Sequence, residues 1–296
     1  MDVSIIVVSY NGRDFLQRCL SSIYERTQGL EFEVIVVDNA SHDGTPEMVA
    51  SEFPQARLVR RSSNAGFATA VNEGIRQARG EALLILNPDT ELDANVLLPM
   101  LAYLRQHPDI GILAPKLLDA DGSLQLSCRA FPGFTTALFN RYSLLTRLLP
   151  GNPFSKRYLM TDFDHSATAD VDWASAACWL MHRATYEQIG PLDEGYFWSI
   201  EDVDYCQRVH RGGLRVVYFP EVAIRHHIGS SAATLPNRTV LARHRGMWRY
   251  YVKHLRPKAA VLHLLVDALI LGGIALRCGA QLATNNVRGA LRRGTK

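Results

Sequence analysis

Short β-branched, apolar runs recur along the first 119 positions, and most are followed by a stretch with helical spacing. Val3–Val8, Phe32–Val37, Arg57–Arg60, Ala82–Leu86 and Ile110–Pro115 read as strands. Asp14–Tyr24, Gly44–Glu52, Ala65–Arg79 and Ala94–His107 read as helices. Strands that alternate with helices dictate βαβ units, and so an α/β fold with a mostly parallel central sheet flanked by helices. Such a sheet carries its sites at the carboxyl ends of its strands. Three polar clusters fall at those ends: Ser9-Tyr10-Asn11-Gly12, Asp38-Asn39-Ala40-Ser41 and Asn87-Pro88-Asp89.

Residues 120–168 lose the alternation and are punctuated by Pro132, Gly133, Pro150, Gly151 and Pro153. They are expected to be irregular or mobile. Order resumes near Val171, with a helix from Ile200 to His210 that Gly212-Gly213 stops, then a strand over Leu214–Phe219. The 296 residues, 47% of them hydrophobic, suffice for one large core with a small appendage. The N-terminal run is too short, and too uncharged in front, to read as an export sequence. Cys19, Cys128, Cys178, Cys206 and Cys278 are odd in number and scattered without a C-x-x-C pair. They are expected to be reduced thiols of a cytoplasmic protein, with no structural zinc.

Net charge is +3, but it is unevenly spread. Residues 1–204 hold 16 Lys and Arg against 27 Asp and Glu, whereas residues 205–296 hold 16 against Glu221 and Asp267 alone. A basic C-terminal third points to an anionic partner. Nucleic acid is not expected, since no nucleic-acid module accompanies the charge.

Each cluster admits two readings. Asp38 can accept hydrogen bonds from a nucleobase, or Asp38–Ser41 can be a turn with Ser41 or Asp43 capping the next helix. Gly66, in Asn64-Ala65-Gly66, permits close approach of a ligand at a helix N-terminus, or Asn64 is an ordinary N-cap. Asp89 can bind a divalent cation beside a diphosphate, which needs only one or two protein carboxylates. Otherwise Asn87-Pro88-Asp89 is a turn with Thr90 or Asp93 as cap. Asp202 can take a proton from a hydroxyl, or Ser199 to Asp202 is a loose capping box whose acids complement the helix dipole. Asp204 and Arg208, four apart, read as a helix-surface pair. Of His226 and His227, at most one is a metal ligand, because neighbours on a strand point to opposite faces.

In this order the motifs resemble glycosyltransferase family 2, the inverting nucleotide-sugar transferases of GT-A fold, and most closely a rhamnosyltransferase-like branch. The matching stretches are SIIVVSYN (Ser4–Asn11), VVDNASHDGT (Val36–Thr45), NAGFATAVNEG (Asn64–Gly74), LNPDT (Leu86–Thr90), LDEGYFWSIEDVDYCQR (Leu192–Arg208) and HHIGSS (His226–Ser231). The resemblance implies that Asp38 reads the base and that Ser9, Asn11, Asn64, Gly66 and Asn87 line the nucleotide. It implies that Asp89 and His226 hold Mg²⁺ or Mn²⁺, that Asp202 is the base, and that Glu201, Trp173 and Ala177 lie where sugar or acceptor is read. Ala176-Ala177 stands where the family has Gly-Ala, and Gly190-Pro191-Leu192 where it has Gly-Gly-Phe.

The expected organisation is a catalytic domain over 1–232, with a nucleotide-sugar half to 119 and an acceptor half beyond, and a helical extension over 233–296. The expected reaction moves a sugar, with rhamnose from a dTDP donor as a candidate, to a glycan or lipid-linked glycan acceptor in cell-surface polysaccharide synthesis. A sugar-nucleotide nucleotidyltransferase and a non-catalytic sugar-nucleotide-binding protein are the alternatives. The first lacks its phosphate loop at Ser9–Asp14, and the second does not require Asp89, Asp202 and His226, all present. Ala259–Leu276 is apolar but for His263 and Asp267. On a helical projection His263, Asp267, Arg277, Gln281, Arg288 and Arg292 form a narrow polar stripe. A helix lying on the inner face of the cell membrane is expected, with Arg277, Arg288, Arg292, Arg293 and Lys296 meeting anionic lipid. Spanning the bilayer and docking on the protein body are the alternatives.

Overall fold

The computed structural model describes residues 1–133, 136, 146, 148–227 and 236–294. Ile228–Ser231 of the His226 motif and Lys296 lie outside the described residues, as do the side chains of Arg288, Arg292 and Arg293. The chain begins β1 (Val3–Ser9), α1 (Arg13–Arg26), β2 (Phe32–Asp38), α2 (Thr45–Glu52), β3 (Arg57–Arg60), α3 (Phe67–Gln77) and β4 (Ala82–Leu86). It continues with β5 (Thr90–Glu91), α4 (Leu97–Gln106), β6 (Ile110–Leu118), β7 (Leu124–Gln125), β8 (Cys128–Arg129) and α5 (Pro153–Leu159). There follow β9 (Ala169–Asp170), β10 (Trp173–Ala174), β11 (Cys178–His182), α6 (Arg183–Ile189), α7 (Glu201–Arg211) and β12 (Arg215–His226). The chain ends in α8 (Pro236–Tyr250), a π-helical turn (Tyr251–Leu255) and α9 (Ala260–Gly294).

The main sheet runs β3-β2-β1-β4-β11-β6-β12-β5. β3, β2, β1 and β4 pair in parallel, as do β6 and β12. β11 is antiparallel to β4 and to β6, so it joins the two parallel blocks. β1 is buried along its whole length, as expected of a strand covered on both faces. One face packs on α1, α2 and α4 through Leu16, Leu20, Met48, Val49, Met100 and Leu104. The other packs on α3 and α7 through Val71, Ile75, Tyr205, Cys206 and Val209.

All five strands read in residues 1–119 are present, and the last extends to Leu118. The stretch 120–168 departs from the expected irregularity, since it carries β7, β8 and α5. Two-residue strands have no period of their own, and their pairing partners β6 and β10 lie elsewhere in the chain. β12 passes a register shift between Phe219 and Ala223 and continues to His226, so the histidine is the last residue of the strand and not beyond it. The five cysteines are free, and four are buried.

Candidate active site

β2 ends in Asp38, which is buried. Its Oδ2 accepts the Ser41 amide at 3.1 Å, while Oδ1 is buried without a partner. Ser9 Oγ, on the adjacent strand end, is also buried without one. Unsatisfied buried polar atoms are costly, and a cluster of them suits a ligand that supplies the missing bonds. Asn11, at φ 50, joins the two loops: its amide donates to Ser41 Oγ at 2.9 Å and its Oδ1 accepts the His42 amide at 2.8 Å.

Asn64 Oδ1 accepts the Gly66 amide and Asn39 Nδ2, both at 3.0 Å. Asn39 is the residue missed here: buried, it also accepts the Ala65 amide at 3.2 Å and donates to the Gly66 carbonyl at 3.2 Å. The N-cap of α3 is Gly66 and not Asn64. Gly66 has φ 95, and a Cβ there would overlap the Phe197 carbonyl. The backbone that approaches it is thus the chain's own loop before α7, and the Phe67 amide donates to the Phe197 carbonyl at 3.0 Å.

β5 follows Asn87-Pro88-Asp89 and pairs with the end of β12, with Thr90 opposite His226. That register sets Asp89 Oδ1 3.2 Å from His226 Nε2, with both side chains buried. His226 Nδ1 lies 2.7 Å from Gln125 Oε1. Gln125 Nε2 is turned to Asp119 Oδ1 at 2.7 Å, which fixes the amide orientation. An amide oxygen only accepts, so Nδ1 donates to it, which leaves Nε2 facing Asp89 and free to present a lone pair in the neutral ring. A lone pair and a carboxylate oxygen side by side fit a shared divalent cation. No third His, Cys, Asp or Glu completes a cluster among the described residues, so diphosphate oxygens and water would fill the other positions. His227 instead meets Glu91 at 3.1 Å, as opposite faces require. Neither Thr90 nor Asp93 caps α4, whose N-cap is Val96.

Ser199 and Ile200, just before α7, both have positive φ, 68 and 77. Such backbone costs about 1–3 kcal/mol per residue and persists only where surroundings impose it. The N-cap is Ile200 with no side-chain cap bond, so the expected Ser199 capping box does not form. Asp202 Oδ1 accepts the Val203 amide at 2.9 Å, and the Ala176 amide also donates to the carboxylate. Burial pushes the Asp202 carboxyl up; burial and then the charge of Asp202 push up that of Glu201, whose Oε2 is buried without a partner. Raised pKa values favour proton uptake near neutral pH. Asp204 is not on the surface, contrary to its reading as an exposed pair with Arg208; its carboxylate is fully buried and accepts Arg208 Nε at 3.0 Å.

The two carboxylate sites meet at the Ala176-Ala177 step. Asn87 donates its amide to the Ala177 carbonyl at 2.9 Å, and its Nδ2 lies 3.4 Å from His226 Nε2. Trp173 donates from Nε1 to the Ala130 carbonyl at 3.0 Å and packs on Tyr196, Val203 and Tyr250 beside α7. Sequence reasoning missed Gln125, a lone glutamine in a stretch without periodicity, and no local signal marks it.

The family model described as "Glycosyl transferase family 2" matches residues 4–149. An N-acetylglucosaminyl-diphospho-decaprenol L-rhamnosyltransferase of Mycobacterium tuberculosis is 30% identical over 255 residues, which cover 82% of either chain. Among solved structures, GalNAc-T7 with UDP, GalNAc and Mn²⁺ superposes with a TM-score of 0.58 at 18% identity, over 77% of this chain and 44% of its own. Mannosyltransferase PcManGT from Pyrobaculum calidifontis, in complex with GDP-Man and Mn²⁺, gives 0.56 at 19% identity, over 99% and 79%.

Proposed function

The chain belongs to glycosyl transferase family 2 and is a glycosyltransferase, and from that premise we propose an inverting, metal-dependent transfer of a sugar from a nucleoside diphosphate to a lipid-linked glycan acceptor. The activity named for the Mycobacterium tuberculosis relative supports rhamnose as the sugar and a diphospho-polyprenol-linked acceptor in cell-envelope glycan synthesis, and dTDP is the donor nucleotide of this reading. The observation that carries the reading is the Asp89–His226 pair, whose neighbour Asn87 bonds the Ala177 carbonyl while the adjacent Ala176 amide bonds Asp202.

In this reading Asp38, with Ser9 and Asn11 beside it, receives the base, and Asn39 and Asn64 shape the loop around the nucleotide. Asp89 and His226 would hold Mg²⁺ or Mn²⁺. Such an ion supplies charge neutralisation at the leaving diphosphate. Asp202 takes the proton from the acceptor hydroxyl as that oxygen attacks the anomeric carbon opposite the diphosphate, which inverts it. Glu201 and Trp173 flank the acceptor side.

Asp89→Ala should weaken nucleoside-diphosphate binding by calorimetry far more in Mn²⁺ than in EDTA. Equal losses in both would make Asp89 a structural residue and remove the metal from the reading.

The enzyme works at the inner membrane face, held there by α9. His263–Asn286 is long and apolar enough to span, but it is unburied, with Leu269 76% and Leu276 78% exposed. Asp267 accepts from Tyr251 Oη at 2.8 Å and is ion-paired with Arg256, and Asn286 meets Asn237 at 3.0 Å. α9 thus lies along α8 with Asp267 turned to the π-helical turn and the residue after it, which suits a helix in the interface and opposes a spanning one. Arg277 is half-buried, and burial lowers its pKa. Full-length protein should float with anionic liposomes, and protein lacking residues 258–296 should not; failure of the full chain to float would return α9 to a protein–protein role.

A further inference from the structure

The C-terminal segment also reaches Asp193 and Asp204, the acids on either side of Glu201 and Asp202 in the chain. Lys253, in the π-helical turn, donates to Asp193 Oδ2 at 2.9 Å and lies 2.8 Å from Asp204 Oδ1. One ammonium therefore joins the two ends of the segment Asp193–Asp204, within which lie the positive-φ residues Ser199 and Ile200 and the acids Glu201 and Asp202. His254, its side chain buried, donates from Nε2 to Asp204 Oδ1 at 2.7 Å, and Tyr196 Oη bonds the same oxygen at 3.2 Å. Arg249 adds two bonds to Asp193, at 2.7 and 3.0 Å, and packs where a Cβ on Gly195 would collide with it. Burial would push the Asp204 carboxyl up, but the bonds from His254 and Lys253 outweigh it and hold the group below the usual carboxylate range. The wider π-helical turn lets consecutive residues 253 and 254 converge on one acid, a feature frequent at functional sites.

We propose that Lys253 and His254 are positioning residues for Asp202: by clamping Asp193 and Asp204 they impose the strained turn that aims the first turn of α7 at the acceptor. The extension is then part of the catalytic apparatus as well as an anchor. This rests on the reading of Asp202 as the base. Strained backbone that nothing clamps relaxes, and small misplacement of a reacting group costs up to about 100-fold in rate.

The test is a double-mutant cycle on the full chain, with kcat, acceptor KM and donor KM measured. Lys253→Met should lower kcat roughly 10- to 100-fold with donor KM within about twofold, and Lys253→Arg should recover most of the loss. In an Asp202→Asn background, Lys253→Met should cost less than about threefold more, since the group it positions is gone. An unchanged kcat in Lys253→Met, or an undiminished loss in the Asp202→Asn background, overturns the proposal. If Asp202→Asn alone keeps wild-type turnover, the base assignment fails, which the cycle reads separately from the clamp. Should Lys253→Met not fold, His254→Gln, which keeps a donor of similar reach, and His254→Ala decide by the same criteria: a kcat loss in the alanine variant that glutamine rescues supports the clamp, and equal kcat in both overturns it.

Discussion

At the donor end, Asp38, Ser9 and Asn11 stand at the ends of neighbouring parallel strands, and the bonds of Asn11 to Ser41 and His42 span about one βαβ unit. At the acceptor end, Glu201 and Asp202 sit after two residues of positive φ. Ala176 bonds Asp202 on one side, and Lys253 and His254, from the far C-terminus, bond Asp193 and Asp204, which flank these acids in the chain. The first end is rigid because paired interior strands deliver it. The second is rigid only while charged groups from three parts of the chain stay together, and buried charges in that arrangement are costly to leave unpaired.

The largest effect should separate the two ends by chemistry. Asp202→Asn keeps shape but cannot take a proton, so turnover should fall roughly 10²- to 10⁴-fold with donor affinity unchanged. A variant retaining more than a tenth of wild-type turnover would pass the role to Glu201. Next is the contact where the ends touch. Gly66→Ala places a methyl against the Phe197 backbone at a φ that L-residues avoid, and should cost about 1–3 kcal/mol in urea unfolding. It should also raise donor KM and lower kcat together; an effect on stability alone would mean the two ends are not coupled there. The smallest effect is electrostatic. A carboxyl whose folded pKa lies above its unfolded one binds more protons when folded, so stability falls as pH rises through that window. The raised Glu201 carboxyl predicts that Glu201→Gln melts higher than wild type above the window, by roughly 2–4 °C for each kcal/mol in a chain of this size. The gap should close as pH falls toward the ordinary carboxylate range. A constant gap at every pH would place the change in packing and not in charge.

Much of the donor end is legible in the sequence because period and polarity agree there. β-branched runs define strands, and the polar clusters Ser9–Gly12, Asp38–Ser41 and Asn87–Asp89 stand at their ends. The acceptor end is legible only as residue types. Ser199 looked like a cap because serine before acids usually is one, but the backbone there is left-handed and no cap bond forms. Asp204 and Arg208 looked exposed because i,i+4 pairs usually are, yet the covering α8 and π-helical turn come from some 40 to 50 residues downstream. Likewise the stripe on α9 was visible, but that its Asp267 turns toward Tyr251 of the π-helical turn was not.

By itself the sequence determined the order of the longer strands and helices through residue 118, the carboxyl-end placement of Asp38 and Asp89, and the charge asymmetry, since each follows from local spacing and side-chain chemistry. Tertiary structure alone decided that antiparallel β11 enters between β4 and β6, that β5 pairs with the end of β12 to bring His226 to Asp89, and that Lys253 reaches back to Asp193 and Asp204. These are long-range pairings whose partners carry no mutual mark in the chain. They are selected by which surfaces remain to be buried, and which carboxylates remain to be neutralised, once the local elements have formed.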